Sequence, residues 1–163
     1  MSLLDRRHIL ALAVVLPLAA CGFTPVYAPG GTGDAVRDRI ALASPEDRLD
    51  FALVSRLEDR IGRVDSAPYT LDYAVTTETT ELGVSETEDI DRINIYGTVA
   101  FSVTDSATGA EVQAGEVRTF TAYASSSSPV ATTAARRDDE DRLMIALADQ
   151  IVAQLLSGVG ALR

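Results

Sequence analysis

The sequence predicts an α+β two-layer sandwich, with two helices packed on one face of a mixed four-stranded sheet in the order β-α-β-β-β-α. Three observations carry this. One amphipathic run with a helix-start signal lies near residue 44, and a second, longer one closes the chain. Between them lie three segments in which apolar and polar residues alternate with period two. The chain has 163 residues, enough for one domain.

Each element follows in order. Arg39-Ile40-Ala41-Leu42-Ala43 reads as a short strand with Ile40 and Leu42 on one face. Ser44-Pro45-Glu46-Asp47 signals a helix start: Ser caps, Pro suits the first turn, and the acids favour the positive end of the helix. Leu49, Ala52, Leu53, Leu57 and Ile61 then form one stripe, and Gly62 ends it. Residues 69–82 place Leu71, Tyr73 and Val75 on one face of a strand. Ile93, Ile95, Val99, Phe101 and Val103 alternate with Asn94, Tyr96, Thr98, Ser102 and Thr104 in the next. Asp105-Ser106-Ala107-Thr108-Gly109 is a hairpin turn, and residues 111–124 return as the last strand. After the Ser125–Pro129 loop, a helix over residues 130–156 carries Met144, Leu147, Ala148, Ile151, Val152 and Leu155 as its stripe, with Gly158 at its end. The first strand–helix–strand crossover is expected to be right-handed and parallel, with hairpins adding the other strands.

The N-terminus reads as a processing signal. Ile9 to Ala20 is continuously apolar, follows Arg6 and Arg7, and is too short to span a ~30 Å hydrocarbon core. It ends in Leu18-Ala19-Ala20-Cys21, which resembles the lipobox of bacterial lipoproteins. Three segments are therefore expected: a signal peptide at 1–20, a lipidated N-terminus and tether at 21–38, and a single domain at 39–163. Cys21 is the candidate lipidation site, where several acyl chains, palmitate among them, would anchor the chain to a membrane. Gly22 is compatible with the outer membrane, and the export route, general secretory or twin-arginine, stays open.

Composition removes most chemistries. All 14 basic residues are Arg, and beyond residue 20 there are 12 of them against 23 acids, a net charge of −11. Such a surface repels polyphosphate, so no nucleic-acid partner is expected. His8 and Cys21 are the only His and Cys, and His8 lies in the signal. Beyond residue 21 no imidazole, amine or thiol side chain remains for nucleophilic catalysis, Schiff-base chemistry or a His/Cys zinc site. The acidic run Asp138-Asp139-Glu140-Asp141 lacks calcium-loop spacing. Glu86, Glu88 and Asp89 fall in an acidic loop, Val84 to Asp91, with nothing to set them across a cleft. No catalytic residue, metal or cofactor is expected.

Cys21-Gly22-Phe23-Thr24-Pro25-Val26-Tyr27 after a lipobox resembles the start of the LPS-assembly lipoprotein family (LptE), alphaproteobacterial type. The helix start at Ser44, the strand Ile93 to Thr104, the Ser-rich loop, and Arg136-Arg137-Asp138-Asp139-Glu140-Asp141-Arg142-Leu143 leading into Leu147-Ala148-Asp149-Gln150-Ile151 extend the likeness. The resemblance implies two helices over a four-stranded sheet, held in the outer membrane by lipid. It implies a plug inside an LptD-type β-barrel that assists barrel assembly and lipopolysaccharide delivery to the cell surface. Arg136 and Arg137, with Arg92 at a strand start, are the implied lipopolysaccharide contacts; the simpler reading of the Arg pair is a solvated helix face paired to neighbouring acids. Tyr96 and Asn94, on the polar strand face, are the candidate partner interface. The competing readings are a periplasmic lipid-binding auxiliary of an ABC-type transporter, which needs a lipid-sized apolar groove, and a carboxylate-based cell-wall hydrolase.

Overall fold

Ser44 and Asp47 compete to begin the first helix, and Asp47 wins. Helix α1 is Arg48–Ile61; Asp47 is extended, and its carboxylate accepts the Asp50 N–H at 2.9 Å. Ser44 and Pro45 instead lie in the connection from strand β1, Ile40–Leu42. At the other end Gly62 takes φ +91°, a region a side chain rarely adopts, and its N–H closes on the Glu58 carbonyl at 2.9 Å.

The computed structural model describes residues 31–82, 92–124, 128–158 and 160. The expected signal peptide, Cys21, the first part of the tether, the acidic loop 84–91 and Ser125–Ser127 lie outside the described residues. The end of the expected tether is part of the fold. After a single 3-10 turn at Thr32–Ala35, Val36 is 1% exposed in the core, and the Asp38 N–H donates to the Ile61 carbonyl at 2.7 Å. The folded unit thus starts before residue 39.

The remaining elements are β2 (Tyr69–Leu82), β3 (Arg92–Asp105), β4 (Glu111–Ala124) and α2 (Pro129–Ser157). The sheet order is β1-β2-β3-β4, with β1 parallel to β2 and the other pairs antiparallel. This is the expected mixed sheet and element order. The long β2–β3 register runs without a shift from Tyr69↔Asp105 to Leu82↔Arg92. The β3–β4 turn is built by Asp105, whose carboxylate accepts the N–H groups of Ala107 and Thr108 and the Thr108 hydroxyl. Helix α2 starts one residue earlier than expected, with Ser128 as cap and Pro129 in the first turn.

Period two decides which sheet face is covered. Leu71, Ile93, Ile95, Val99, Phe101, Val103 and Val117 share a face and one buried cluster with Leu53 and Leu57 of α1 and Leu143, Met144, Leu147, Ile151 and Leu155 of α2. Both helices therefore lie on the same side of the sheet. The long helix comes very close at Gly97 of β3. A Cβ there would sit 2.8 Å from Leu147 Cδ1 and 3.0 Å from Leu143 Cδ2. These side chains fill the space between the layers at the centre of the sheet, and the groove left between the start of α1 and the β2 edge is rimmed by Glu46, Asp47, Asp50 and Asp72 rather than by apolar side chains.

Two outcomes are expected. Leu147→Ala should cost roughly 2–5 kcal/mol, because the site is fully buried. Gly97→Ala should also destabilise, and the double variant should lose less than the two losses added, since each relieves the other's misfit; chemical unfolding of the four proteins measures the coupling. The second outcome concerns pH. Hydrogen bonds from the Thr108 N–H, the Thr108 hydroxyl and the Ala107 N–H hold the Asp105 carboxyl below its usual value. The turn's contribution is then complete above the ordinary Asp value of about 4 and is lost as pH falls through the lower folded value. The gap in thermal midpoint between wild type and Asp105→Ala should be widest near neutrality and close on strong acidification.

Candidate functional site

Both helices cover one sheet face, and among the described residues no element is packed on the other. On that face Tyr96 of β3 pairs in register with Phe120 of β4. Their ring centroids are 5.5 Å apart at a 35° tilt, and the Arg118 guanidinium carbon lies 5.7 Å from the Tyr96 ring centre. Such contacts hold rings and cation in a defined arrangement. Phe120 remains 57% exposed, while Tyr96 is half-buried between its neighbours. The strand periodicity marks Tyr96 as an outward aromatic. Phe120 and Arg118 were missed because only the β3–β4 register shows which residues stand beside it.

Asn94, two residues before Tyr96, is only 8% exposed. It has the parity of the open face yet presents almost no surface, so the candidate interface shifts from Tyr96 and Asn94 to Tyr96, Phe120 and Arg118.

The candidate lipopolysaccharide-contact arginines separate. Arg92 opens β3, is exposed, and shares the parity of Tyr96, which puts it on the open face. Arg136 and Arg137 are exposed on α2, in the helix layer. All three occupy one end of the sandwich, where β3 begins and β4 runs into α2, but the sheet lies between Arg92 and the helical pair. Arg136 is held by Glu140 at 3.0 Å, one helical turn away. Arg137 forms no ion pair with a described residue.

The acidic run in α2 is a binding strip for arginines of the same chain. Arg48 of α1 reaches both Glu140 and Asp141; Arg142 pairs with Asp138 and, at 3.4 Å, with the buried Asp139. Further along, Arg56 grips Asp149 through two nitrogens at 3.1 and 3.0 Å, with Arg60 at 3.5 Å. The two-nitrogen fork is the stronger geometry. Among the described residues no group of three or more acids, His or Cys is arranged to hold a metal ion.

Exposed apolar groups on the helix layer are Phe51 and Ile145, beside the Arg48–Asp141 pair, and Val130 at the start of α2. No helix among the described residues is long and apolar enough to cross a membrane.

Comparison with known proteins places this geometry. A family model described as "LptE: Lipopolysaccharide-assembly" matches residues 35–155. No curated protein sequence matches the chain. Among solved structures, a lipoprotein from Caulobacter crescentus is 22% identical with TM-score 0.67, covering 81% of this chain and 97% of its own. Rare lipoprotein B from Shewanella oneidensis is 18% identical with TM-score 0.54, covering 73% and 92%. Lipoprotein B from Nitrosomonas europaea is 16% identical with TM-score 0.57, covering 77% and 86%. These neighbours share the fold.

Proposed function

The chain belongs to the lipopolysaccharide-assembly family LptE, and on that premise we propose that it is an outer-membrane lipoprotein that docks in the lumen of an LptD-type β-barrel. There it assists barrel assembly and the delivery of lipopolysaccharide to the cell surface, by binding and without catalysis. Cys21 carries the lipid anchor. The observation that carries the docking reading is the open sheet face, where Tyr96, Phe120 and Arg118 form an aromatic and cationic cluster on a surface otherwise of small, polar and acidic residues, Glu78 standing in register with Tyr96. Aromatic and Arg side chains are the usual anchors of protein interfaces. A barrel lumen is polar, and a small acidic domain with a fully internal core suits it. Direct lipopolysaccharide contact falls to Arg137 and Arg92, whose guanidinium groups pair with no described acid and are free for a phosphate.

Three outcomes check this. Cys21→Ser should move the protein out of the membrane fraction, or leave it unprocessed, without lowering the thermal midpoint of the folded domain. An unmodified Cys21 in the mature wild-type protein, seen by mass spectrometry, would refute the anchor. Tyr96→Ala combined with Phe120→Ala should weaken binding to the purified barrel tenfold or more, about 1.4 kcal/mol. Arg136→Ala with Arg137→Ala should leave that complex intact and reduce lipopolysaccharide delivery. Recovery of folded wild-type protein from membranes with no barrel attached, in cells that make the barrel, would overturn the docking reading.

A further inference from the structure

Strand β2 is much longer than the strand beside it. Its partner β1 ends at Leu42, because Ser44 and Pro45 turn the chain towards α1, and the pairing stops at Leu42↔Leu71 with one further bond from Ala43 N–H to the Leu71 carbonyl. Residues 72–82 continue with β3 on one side and no described strand on the other. The bonds at Tyr69 and Leu71 fix which groups face the missing neighbour. Tyr69 N–H donates to the Arg39 carbonyl and the Leu71 carbonyl accepts from Ala43, so odd residues aim their backbone at the β1 side. The register with β3 has no shift, and the N–H and C=O groups of Tyr73, Val75, Thr77 and Thr79 therefore line a free edge.

We propose that this edge is a strand-addition site for an extended, basic segment of a partner protein. Unpaired edges are ordinarily blunted by Pro, a bulge or Lys. Residues 72–82 contain no Pro, bulge or Lys; their only charges are the acids Asp72, Glu78 and Glu81, which repel a like edge but admit a basic strand, and their Thr, Val and Tyr content suits a strand. The space a strand would fill is already shaped: a groove between the start of α1 and β2, in line with β1, has Leu49 and Val75 on its wall. Glu46, Asp47, Asp50 and Asp72 rim it and no arginine lines it, so charge complementarity selects a basic segment. A second copy of this chain would bring Asp72, Glu78 and Glu81 against their own kind. The Tyr73 hydroxyl oxygen is buried with no hydrogen-bond partner among the described residues. A phenol is a hydrogen-bond donor at neutral pH, so this hydroxyl is available to an incoming carbonyl; burial and the nearby Asp50, Asp47 and Glu46 carboxylates raise its pKa further, to about 12. The opposite edge differs: on β4 the Gln154 amide of α2 donates to the Glu116 carbonyl at 3.1 Å. The site does not depend on the barrel reading.

The test uses the full chain and three capped ten-residue peptides: alternating Lys–Val, the same peptide N-methylated at every second residue, and alternating Glu–Val. Fluorescence anisotropy reads binding, and hydrogen exchange reads the amides of Tyr73, Val75, Thr77 and Thr79. The Lys–Val peptide should bind and slow those four amides at least tenfold, and the other two peptides should bind at least tenfold more weakly. Thr77→Pro, which removes an edge donor without touching the β3 ladder, should reproduce that loss; the methylated peptide makes the same point on the unaltered protein. Absence of Lys–Val binding, or equal binding of the methylated peptide, would overturn the proposal. So would strong protection of the four amides in the free chain, which would mean that its own N-terminal segment or a second copy already covers the edge.

Discussion

The seating of α2 on the sheet at Gly97 is the constraint from which the other features follow. Leu143 and Leu147 occupy the volume a β3 side chain would take, and this brings the long helix against the centre of β3 and β4. With that face committed to the helix, the alternate residues of the same strands must face outwards, which creates the open face bearing Tyr96 and Phe120. The same placement presents the acidic side of α2 to α1. Arg48 and Arg56 then tie the helices across their outer seam through Glu140, Asp141 and Asp149. Part-exposed pairs of this kind contribute up to about 1 kcal/mol each, so they orient α1 more than they hold it. The apolar stripes of Leu53, Leu57 and Ile61 supply the attachment.

Most of this architecture is legible from periodicity alone. The alternation of Ile93 through Val103 names the covered face of β3 residue by residue, and the α2 stripe is buried as its spacing predicts. The errors fall where two local signals compete. Ser44 is a capable cap, but the chain is not yet helical at Pro45 and Glu46, and the helix begins after Asp47, whose carboxylate accepts the Asp50 N–H. The Gly- and Pro-rich stretch after Cys21 suggests a tether as far as residue 38. Val36 ends it sooner, because a single apolar residue beside Ile40 can reach the core by way of one 3-10 turn. One buried Val among turn residues carries no periodic signal.

The candidate site was only half legible. Tyr96 stands out on a polar strand face, but its significance depends on Phe120 and Arg118, 24 and 22 positions later in the chain. Those neighbours are set by hairpin register, which shifts at Val103/Thr104, so spacing along the chain does not give them. Asn94 shows the converse: correct parity for the open face, yet only 8% exposed. Arg92 and the Arg136–Arg137 pair lie at the same end of the sandwich, but parity separates them across the sheet, which a reading of charge clusters does not capture.

Charge ties these strands together. The chain uses Arg as its only cation, and the described acids of α2 consume Arg48, Arg56, Arg60, Arg136 and Arg142 in pairs within and between the helices. Arg63 is engaged by Glu58, which holds its guanidinium above its usual value through a side-chain hydrogen bond. Among the described residues the arginines that pair with no acid are Arg118 on the open face, Arg92 and Arg137 at one end, and Arg39 before β1, which lies over the Tyr69 ring. Carboxylates gather in turn where the start of α1 meets the free edge of β2, at Glu46, Asp47, Asp50 and Asp72. A net acidic protein has thus been given two chemically distinct faces. The open face sets its rings and guanidinium groups among Asp72, Glu78 and Glu116, with Glu78 in register with Tyr96, whereas the groove beside the unpaired β2 backbone is rimmed by carboxylates and lined by no arginine, so it is the groove that selects its partner by charge.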